Sequence, residues 1–397
     1  MPLAIARALN PHAAVVRTVI SAEKEIGRGV ALAASGEYSN PVTPARALGV
    51  KDGQEALPRP ASFRASVQPL VLANRNAAGA LVDATAANTT ALAAARAANE
   101  PLILHSVQGT KTNVREPYPP VARAVLAAGA PFDALVVVDA CQARCTNAEL
   151  AAFLRDGACV LVTGSKFYQG PPFSGALLVP PCVARALRAA LEAGGPATAL
   201  PPLFREYFGP ADLPWPAWRS QLPQETCNYG SALRWLGALA EMEAYHAAGT
   251  PATRADATAQ WARGVAALCG GAVQVFEANG SIVNVTVREP GGARMGVADL
   301  KLLHQWLAAD LRPALGPDCP GASTMVFVGQ PVEVARDFGV VRIALGSPDV
   351  RALLNEGPAV VLATDKAVIE KMNLVAKHFG LLRAHFNVAA AGAVAKG

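Results

Sequence analysis

Charge is scarce in this sequence: 16% of its 397 residues are Asp, Glu, Lys or Arg, against 52% that are apolar. A chain with so little charge and so much apolar surface to bury folds into a globular core rather than staying disordered. What positive charge there is lies dispersed. The net charge is +5, yet no dense Lys/Arg run interleaves with the few aromatics, 6% of the chain. The footprint of nucleic-acid binding is therefore missing. Paired cysteines are missing too. Cys141, Cys145, Cys159, Cys182, Cys227, Cys269 and Cys319 are odd in number, contain no CxxC, and form no Cys/His group at zinc spacing. That argues against a disulfide framework or a metal site and favours a reducing, cytoplasmic compartment. The longest charge-free stretch, Phe167 to Ala184, is broken by Pro171, Pro172, Pro180 and Pro181, so no membrane span is expected. No G-x-G-x-x-G joins a strand to a helix, and Lys111 is not preceded by a GxxxxG run, which leaves a dinucleotide oxidoreductase as a weak alternative and excludes a nucleotide P-loop. The first 22 residues lack acid and carry Arg7 and Arg17, a faint likeness to an organelle transit peptide. Against that, "PLAIARALN" reads as a helix and "AAVVRTVIS" as a buried strand, with no Ser-rich stretch.

What is present is alternation. Ala14–Ser21, Val67–Asn74, Pro101–Val107, Ala134–Asp139, Cys159–Thr163 and Gly175–Val179 read as strands, several of them continuous apolar runs as expected when both faces are covered. Helical patterns at Ala84–Asn99, Pro119–Ala128 and Asn147–Arg155 lie between them, the last with Thr146 or Asn147 as its N-cap. This predicts a doubly wound, mostly parallel α/β domain. A Pro- and aromatic-rich connection, "PPLFREYFGPADLPWPAWRSQLPQET", precedes a long helix, "SALRWLGALAEMEAYHAAG". Beyond it, helices at Thr253–Leu268, Val297–Leu311 and Asp365–Phe379 and strands at Ser281–Val287 and Gly339–Ala344 predict a smaller α+β domain. The expected division is 1–225 and 226–397. "GQPV", Gly329 to Val332, reads as a tight turn.

In an open α/β sheet, ligands bind beyond the carboxyl ends of the strands. Asp139 ends "ALVVVD", and Lys166 stands just past "CVLVTG", one strand–helix–strand unit later. A carboxylate and an amine converging there suit pyridoxal phosphate, which needs a lysine for its Schiff base and a carboxylate on its ring nitrogen. Either residue alone has a plain structural reading, Asp139 as a helix cap and Lys166 as a solvated loop residue.

"VDACQ" followed by "TGSK" resembles fold-type I pyridoxal-phosphate enzymes, in particular the class V aminotransferase and cysteine desulfurase group. The resemblance implies a homodimer that acts on an amino acid, transamination being the expected reaction. It implies Asp139 on the pyridine nitrogen, Gln142 on the phenolic oxygen and Lys166 on the aldehyde carbon. Thr163 and Ser165 would hold the phosphate or flank the lysine, and Thr112 or Asn113 in "HSVQGTKTN" would approach the ring. Late in the chain "VVRIALGSPDV" resembles the strand whose arginine grips the substrate carboxylate, which implies Arg342 as a bidentate fork. His105 reads as a core or rim histidine, Cys141 and Cys145 as small buried residues, and Cys319 as a loop cysteine whose position upstream of Arg342 leaves desulfuration or another elimination as the alternative reaction.

Two family features are not found between Met1 and Lys166. One is the Ser/Gly/Thr-rich loop at a helix N-terminus that binds the cofactor phosphate; the chain is expected to start just downstream of it. The other is a stacking ring, in whose place stand Glu23, Lys24 and Glu25. Asn228 or Ser231 would then face a neighbouring subunit's phosphate. A non-catalytic homologue is the rival expectation.

Overall fold

The computed structural model describes residues 2–9, 16–22, 67–73, 75–83, 85–115, 134–200, 209–222, 229–335 and 338–394. The helix expected over Pro119–Ala128, the segment Glu23 to Glu25, Cys227 and Asn228 lie outside them. The chain divides into two compact units, Met1–Asn74 with Leu81–Leu239, and Arg75–Ala80 with Ala240–Gly397.

The larger unit is built on a sheet of β1 (Val16–Ala22), β2 (Val67–Ala73), β3 (Leu102–Val107), β4 (Ala134–Asp139), β5 (Cys159–Thr163) and β6 (Gly175–Leu178). All six were expected from the sequence, several as continuous apolar runs. Their order is β2-β1-β3-β4-β5-β6, and every pairing is parallel except that of β6 with β5. Period-two alternation sorts the side chains. Leu102, Leu104, Val136, Val138 and Val160 join Leu92 and Ala95 of α2 (Thr85–Ala97) and Phe153 of α3 (Asn147–Arg155) in one core. Ile103, Leu135, Val137 and Cys159 join Ile5 of α1 (Pro2–Leu9) and Val183, Leu187 and Leu191 of α4 (Pro181–Ala193) in the other. Helices thus cover both faces, which is why these strands have no polar alternation. Helix α3 starts where its sequence says it should. Thr146 is the N-cap and forms a capping box with Glu149.

Helix α5 (Tyr229–Ala247) is continuous and begins the passage to the smaller unit. That unit has an antiparallel sheet, β7 (Val273–Asn279), β8 (Ile282–Val287), β9 (Gly329–Glu333) and β10 (Gly339–Ala344), in the order β7-β8-β10-β9. Helix α6 (Pro251–Leu268) packs on β7 and β8, and α7 (Val297–Leu307) on β9 and β10. Helices α8 (Ser347–Glu356), α9 (Pro358–Lys377) and α10 (Phe379–Val394) follow. One expectation is corrected here. Gly329 to Val332 is not a turn but the body of β9, an edge strand where Pro331 costs no ladder hydrogen bond and Val332 is buried against Val340. Helix α9 begins at Pro358, earlier than the expected Asp365, with proline at its first turn. Among the described residues no helix is long and apolar enough to cross a membrane.

Candidate cofactor site

Three loops leave the carboxyl ends of β3, β4 and β5, and the structure brings them together. The β4 loop begins at Asp139. Its carboxylate Oδ1 accepts from the Cys141 backbone N–H at 2.9 Å, and its carbonyl accepts from the Gln108 N–H at 2.8 Å. The Asp139 side chain is half-buried. The loop then turns through Ala143 in the left-handed region, φ 55°, with its N–H bonded to the Ala140 carbonyl.

The β3 loop, Gln108 to Arg115, closes through an antiparallel bridge between those two residues. Gly109 has φ +89°, and a Cβ there would stand 3.2 Å from Asn113 Oδ1 and 3.6 Å from Gln142 Cβ. Glycine therefore lets this loop lie directly on the β4 loop. Thr112 is fully buried, its hydroxyl 3.3 Å from that of Thr110, whereas Asn113 is half-buried. Arg115 pairs with Glu149 and donates to the Arg144 carbonyl at 2.6 Å, tying the two loops to the start of α3.

The β5 loop carries the lysine. The Thr163 and Ser165 hydroxyls are hydrogen-bonded at 2.8 Å, and the Ser165 N–H donates to Thr163 Oγ1 at 3.2 Å. Gly170 donates to the Gly164 carbonyl, and Gly164 to that of Ser174, so the loop is closed upon itself. Phe167 and Tyr168 are buried and anchor it, while Lys166 between anchor and strand is exposed. A Cβ on Gly170 would come within 3.0 Å of Ala238, so glycine also permits the close approach of this loop to α5.

A side-chain contact joins the β4 and β5 loops. The Arg144 guanidinium lies 5.1 Å from the Phe167 ring centroid. Asp139 and Lys166 act in opposite senses on the Cys141 thiol: burial and then Asp139 push its pKa up, and Lys166 pulls it down. The thiol is thus held protonated, by burial first of all. His105 is 6% exposed, and by alternation shares a sheet face with Asp139. Both of its ring nitrogens lack a hydrogen-bond partner among the described residues. Burial lowers its pKa to about 4 against the opposing pull of Asp139, so the imidazole is neutral.

Asp139, Gln142, Asn113, Thr163, Ser165 and Lys166 therefore share one end of one sheet. Arg342 belongs to the smaller unit. It sits on β10 with Nε donating to the Gln330 carbonyl at 3.2 Å. Its guanidinium crosses Gly329 so closely that a Cβ there would lie 2.8 Å from Cζ. Cys319 lies in the same unit, in a turn after the single helical turn Arg312–Leu315. Sequence reasoning did not single out Arg144, Phe167 or Gly109, which hold the loops in place. The one sign available was a glycine directly past a strand end. A cavity of about 1540 Å³ in the larger unit lies elsewhere, along β6, Trp215 and Trp235, and contains none of Asp139, Gln142 or Lys166.

No protein-family model matches the chain, and no curated protein does. Similar solved structures include 4-hydroxyphenylacetaldehyde synthase of Rhodiola rosea, at 12% identity and TM-score 0.48, covering 95% of this chain and 67% of that one. Another is an (S)-enantioselective omega-transaminase from Thermomicrobium roseum, at 15% identity and TM-score 0.48, covering 93% of this chain and 72% of that one. At such identities and TM-scores, these likenesses add nothing to what the residues themselves support.

Proposed function

We propose that this chain binds pyridoxal 5'-phosphate beyond the ends of β4 and β5 and acts on an amino acid, with transamination as the reaction. The observation that carries the reading is that Asp139 and Lys166 stand past the carboxyl ends of β4 and β5, neighbouring parallel strands of one sheet. The residues fit the ring and aldehyde ends of the group. They supply a half-buried carboxylate, an exposed amine on a closed loop, and a neutral buried imidazole whose nitrogens lack partners among the described residues. Toward a phosphate they offer the Thr163 and Ser165 hydroxyls.

Asp139 would hold the ring nitrogen, Gln142 the phenolic oxygen, and Asn113 or Thr112 the edge of the ring. When bound, the group supplies an electron sink for the pair left at a substrate's α-carbon. Lys166 Nζ is the group that would bind the aldehyde carbon and move the proton at the α-carbon. The closed Gly164–Ser174 loop and the Arg144–Phe167 contact restrict where that amine can go. Arg342 would take the substrate carboxylate.

One observation favours a second reading, a non-catalytic homologue. The N-terminus of α3, which follows the Asp139 loop, is closed by the Glu149 carboxylate and is no anion site. The test separates the two. With added pyridoxal phosphate the native chain is expected to show a visible absorption band, and borohydride reduction to fix the added mass on the Lys166 peptide. Lys166→Ala is expected to lose both. No band at millimolar cofactor would overturn the enzyme reading and leave the non-catalytic one.

A further inference from the structure

Among the described residues the larger sheet ends at β2 and β6, and the smaller sheet at β7 and β9. An open edge is a template for a further strand, and chains guard it with proline or charge. Pro69 stands within β2, Pro331 within β9 and Glu277 within β7. Strand β6, "GALL", carries neither. The direction of its amides follows from the ladder. The Leu161 carbonyl of β5 accepts from the Ala140 N–H, so Leu161 faces β4, while Val160 and Val162 on either side of it face β6. Their partners on β6 are Leu178 and Ala176. Ser174, two residues before Ala176, faces the same way and accepts from the Gly164 N–H. Gly175, Leu177 and Val179 therefore turn their N–H and C=O groups outward, off the sheet. None of the three has a backbone partner on that side among the described residues. All three line the cavity of about 1540 Å³.

The cavity itself selects what covers this edge. Backbone donors and acceptors at alternate residues along a strand are matched by another extended chain. The volume exceeds the roughly 300–1,000 Å³ of a small-molecule pocket. Its charged lining residues are Arg188, Arg234, Glu192 and Asp212, two of each sign, so neither a polyanion nor a basic segment is favoured. Its rings are Phe173, Trp215 and Trp235, and Phe173 is 61% exposed. Helix α4 and Trp215 wall the cavity on one face of the sheet, and Leu154 of α3 on the other. A single strand enters between such walls, and the helix-covered edge of a second copy does not. We propose that β6 takes an extended, uncharged, apolar segment of another protein as a seventh strand of the sheet. Its backbone pairs with Gly175, Leu177 and Val179, and its apolar side chains lie against Phe173, Trp215 and Trp235. The inference does not depend on the cofactor reading.

The test titrates the full chain by calorimetry with three short peptides, acetylated and amidated at their ends. Each reads Thr-X-Thr-X-Thr, with valine, leucine or phenylalanine as X. At least one is expected to bind in the micromolar range. Only alternate amides of a docked strand face β6, so two N-methylated forms of that peptide are compared, one methylated at both X residues and one at the threonines between and beside them. One form is expected to bind about tenfold or more weakly, and the other to stay within about twofold of the parent. In the protein, Leu177→Pro removes an outward donor and no bond to β5, and is expected to weaken binding about tenfold. Failure of all three peptides to bind, equal effects of the two methylated forms, or a folded Leu177→Pro chain that binds as tightly as the native one would each overturn the proposal. A native dimer that the peptide dissociates in sedimentation would also overturn it, by giving the edge to a second copy. If circular dichroism shows Leu177→Pro unfolded, the methylated peptides decide.

Discussion

Lys166 and Lys371 are the same side chain in opposite circumstances. Lys166 is exposed on a loop past the end of a parallel strand, between two buried aromatic anchors and a hydroxyl pair. Lys371 is 2% exposed within α9 of the smaller unit. Its ammonium donates to the Ala322 carbonyl at 2.8 Å, to that of Gly321 at 3.1 Å, and to that of Ala309 at 3.5 Å. Burial lowers its pKa, and Asp310 with Cys319 opposes that. The difference shows where this chain uses polar groups for architecture and where it leaves them to meet a ligand. In the smaller unit, the buried Lys371 and Asp365 are tied into carbonyl and indole partners. At the strand ends of the larger unit, loops are tied through their backbones and the reactive side chains stay accessible.

The largest effect expected from that contrast is at Lys371. Lys371→Ala removes the donor shared by three carbonyls and opens a cavity, and should cost about 3 kcal/mol or more. A urea midpoint within error of the native value would show that Lys371 holds nothing together. Asp365 comes next. It is 8% exposed and accepts from Trp261 Nε1 at 2.7 Å. Burial raises its pKa to about 6 from 3.8, more than the indole bond lowers it. A raised carboxylate favours folding in its protonated form. Its contribution is therefore complete below about pH 4 and lost as pH rises through about 6, a span of about 3 kcal/mol. Asp365→Asn should flatten that part of the stability profile and be more stable than the native chain at pH 7.5, the gap closing toward pH 4. Parallel profiles for the two proteins would refute the assignment.

Much of this is legible in the sequence. All six strands of the larger sheet were expected from the sequence, and the continuous apolar runs of β3 and β4 are buried on both faces. Thr146 with Glu149 three residues on is a capping box in sequence and in structure. Asp139 and Lys166 were placed by the rule that strand ends hold ligands, a rule that needs only the strand boundaries. What sequence did not give has a physical reason in each case. Strand β9 contains Gly329 and Pro331, which read as a turn until the strand is known to be an edge. Strand β7, "VQVFEAN", lacks clean alternation because its pairing with β8 shifts register between Val275 and Glu277, and Glu277 makes a two-bond pairing with Arg75, about two hundred residues away in sequence. The Arg144–Phe167 contact is likewise a meeting of two loops, and local pattern carries no record of it.

The smaller effects sharpen the contrast at the site itself. Thr146→Ala removes one half of the capping box and should cost about 1 kcal/mol, read as a lower urea midpoint; a cost near 3 kcal/mol would mean that the site loops depend on this cap as α9 depends on Lys371. Lys166→Ala is expected to have the least effect on stability of all. Its side chain is exposed, and the bonds that shape its loop run through the backbones of Gly164, Lys166, Gln169, Gly170 and Ser174. Those bonds survive truncation at Cβ, so the midpoint should stay within about 0.5 kcal/mol of native. The same substitution should nevertheless abolish the pyridoxal-phosphate band and the reducible adduct. A residue that is dispensable for folding and required for a ligand is positioned by the fold without supporting it. If Lys166→Ala instead unfolds the larger unit, the lysine belongs with Lys371, and the contrast between the two regions fails.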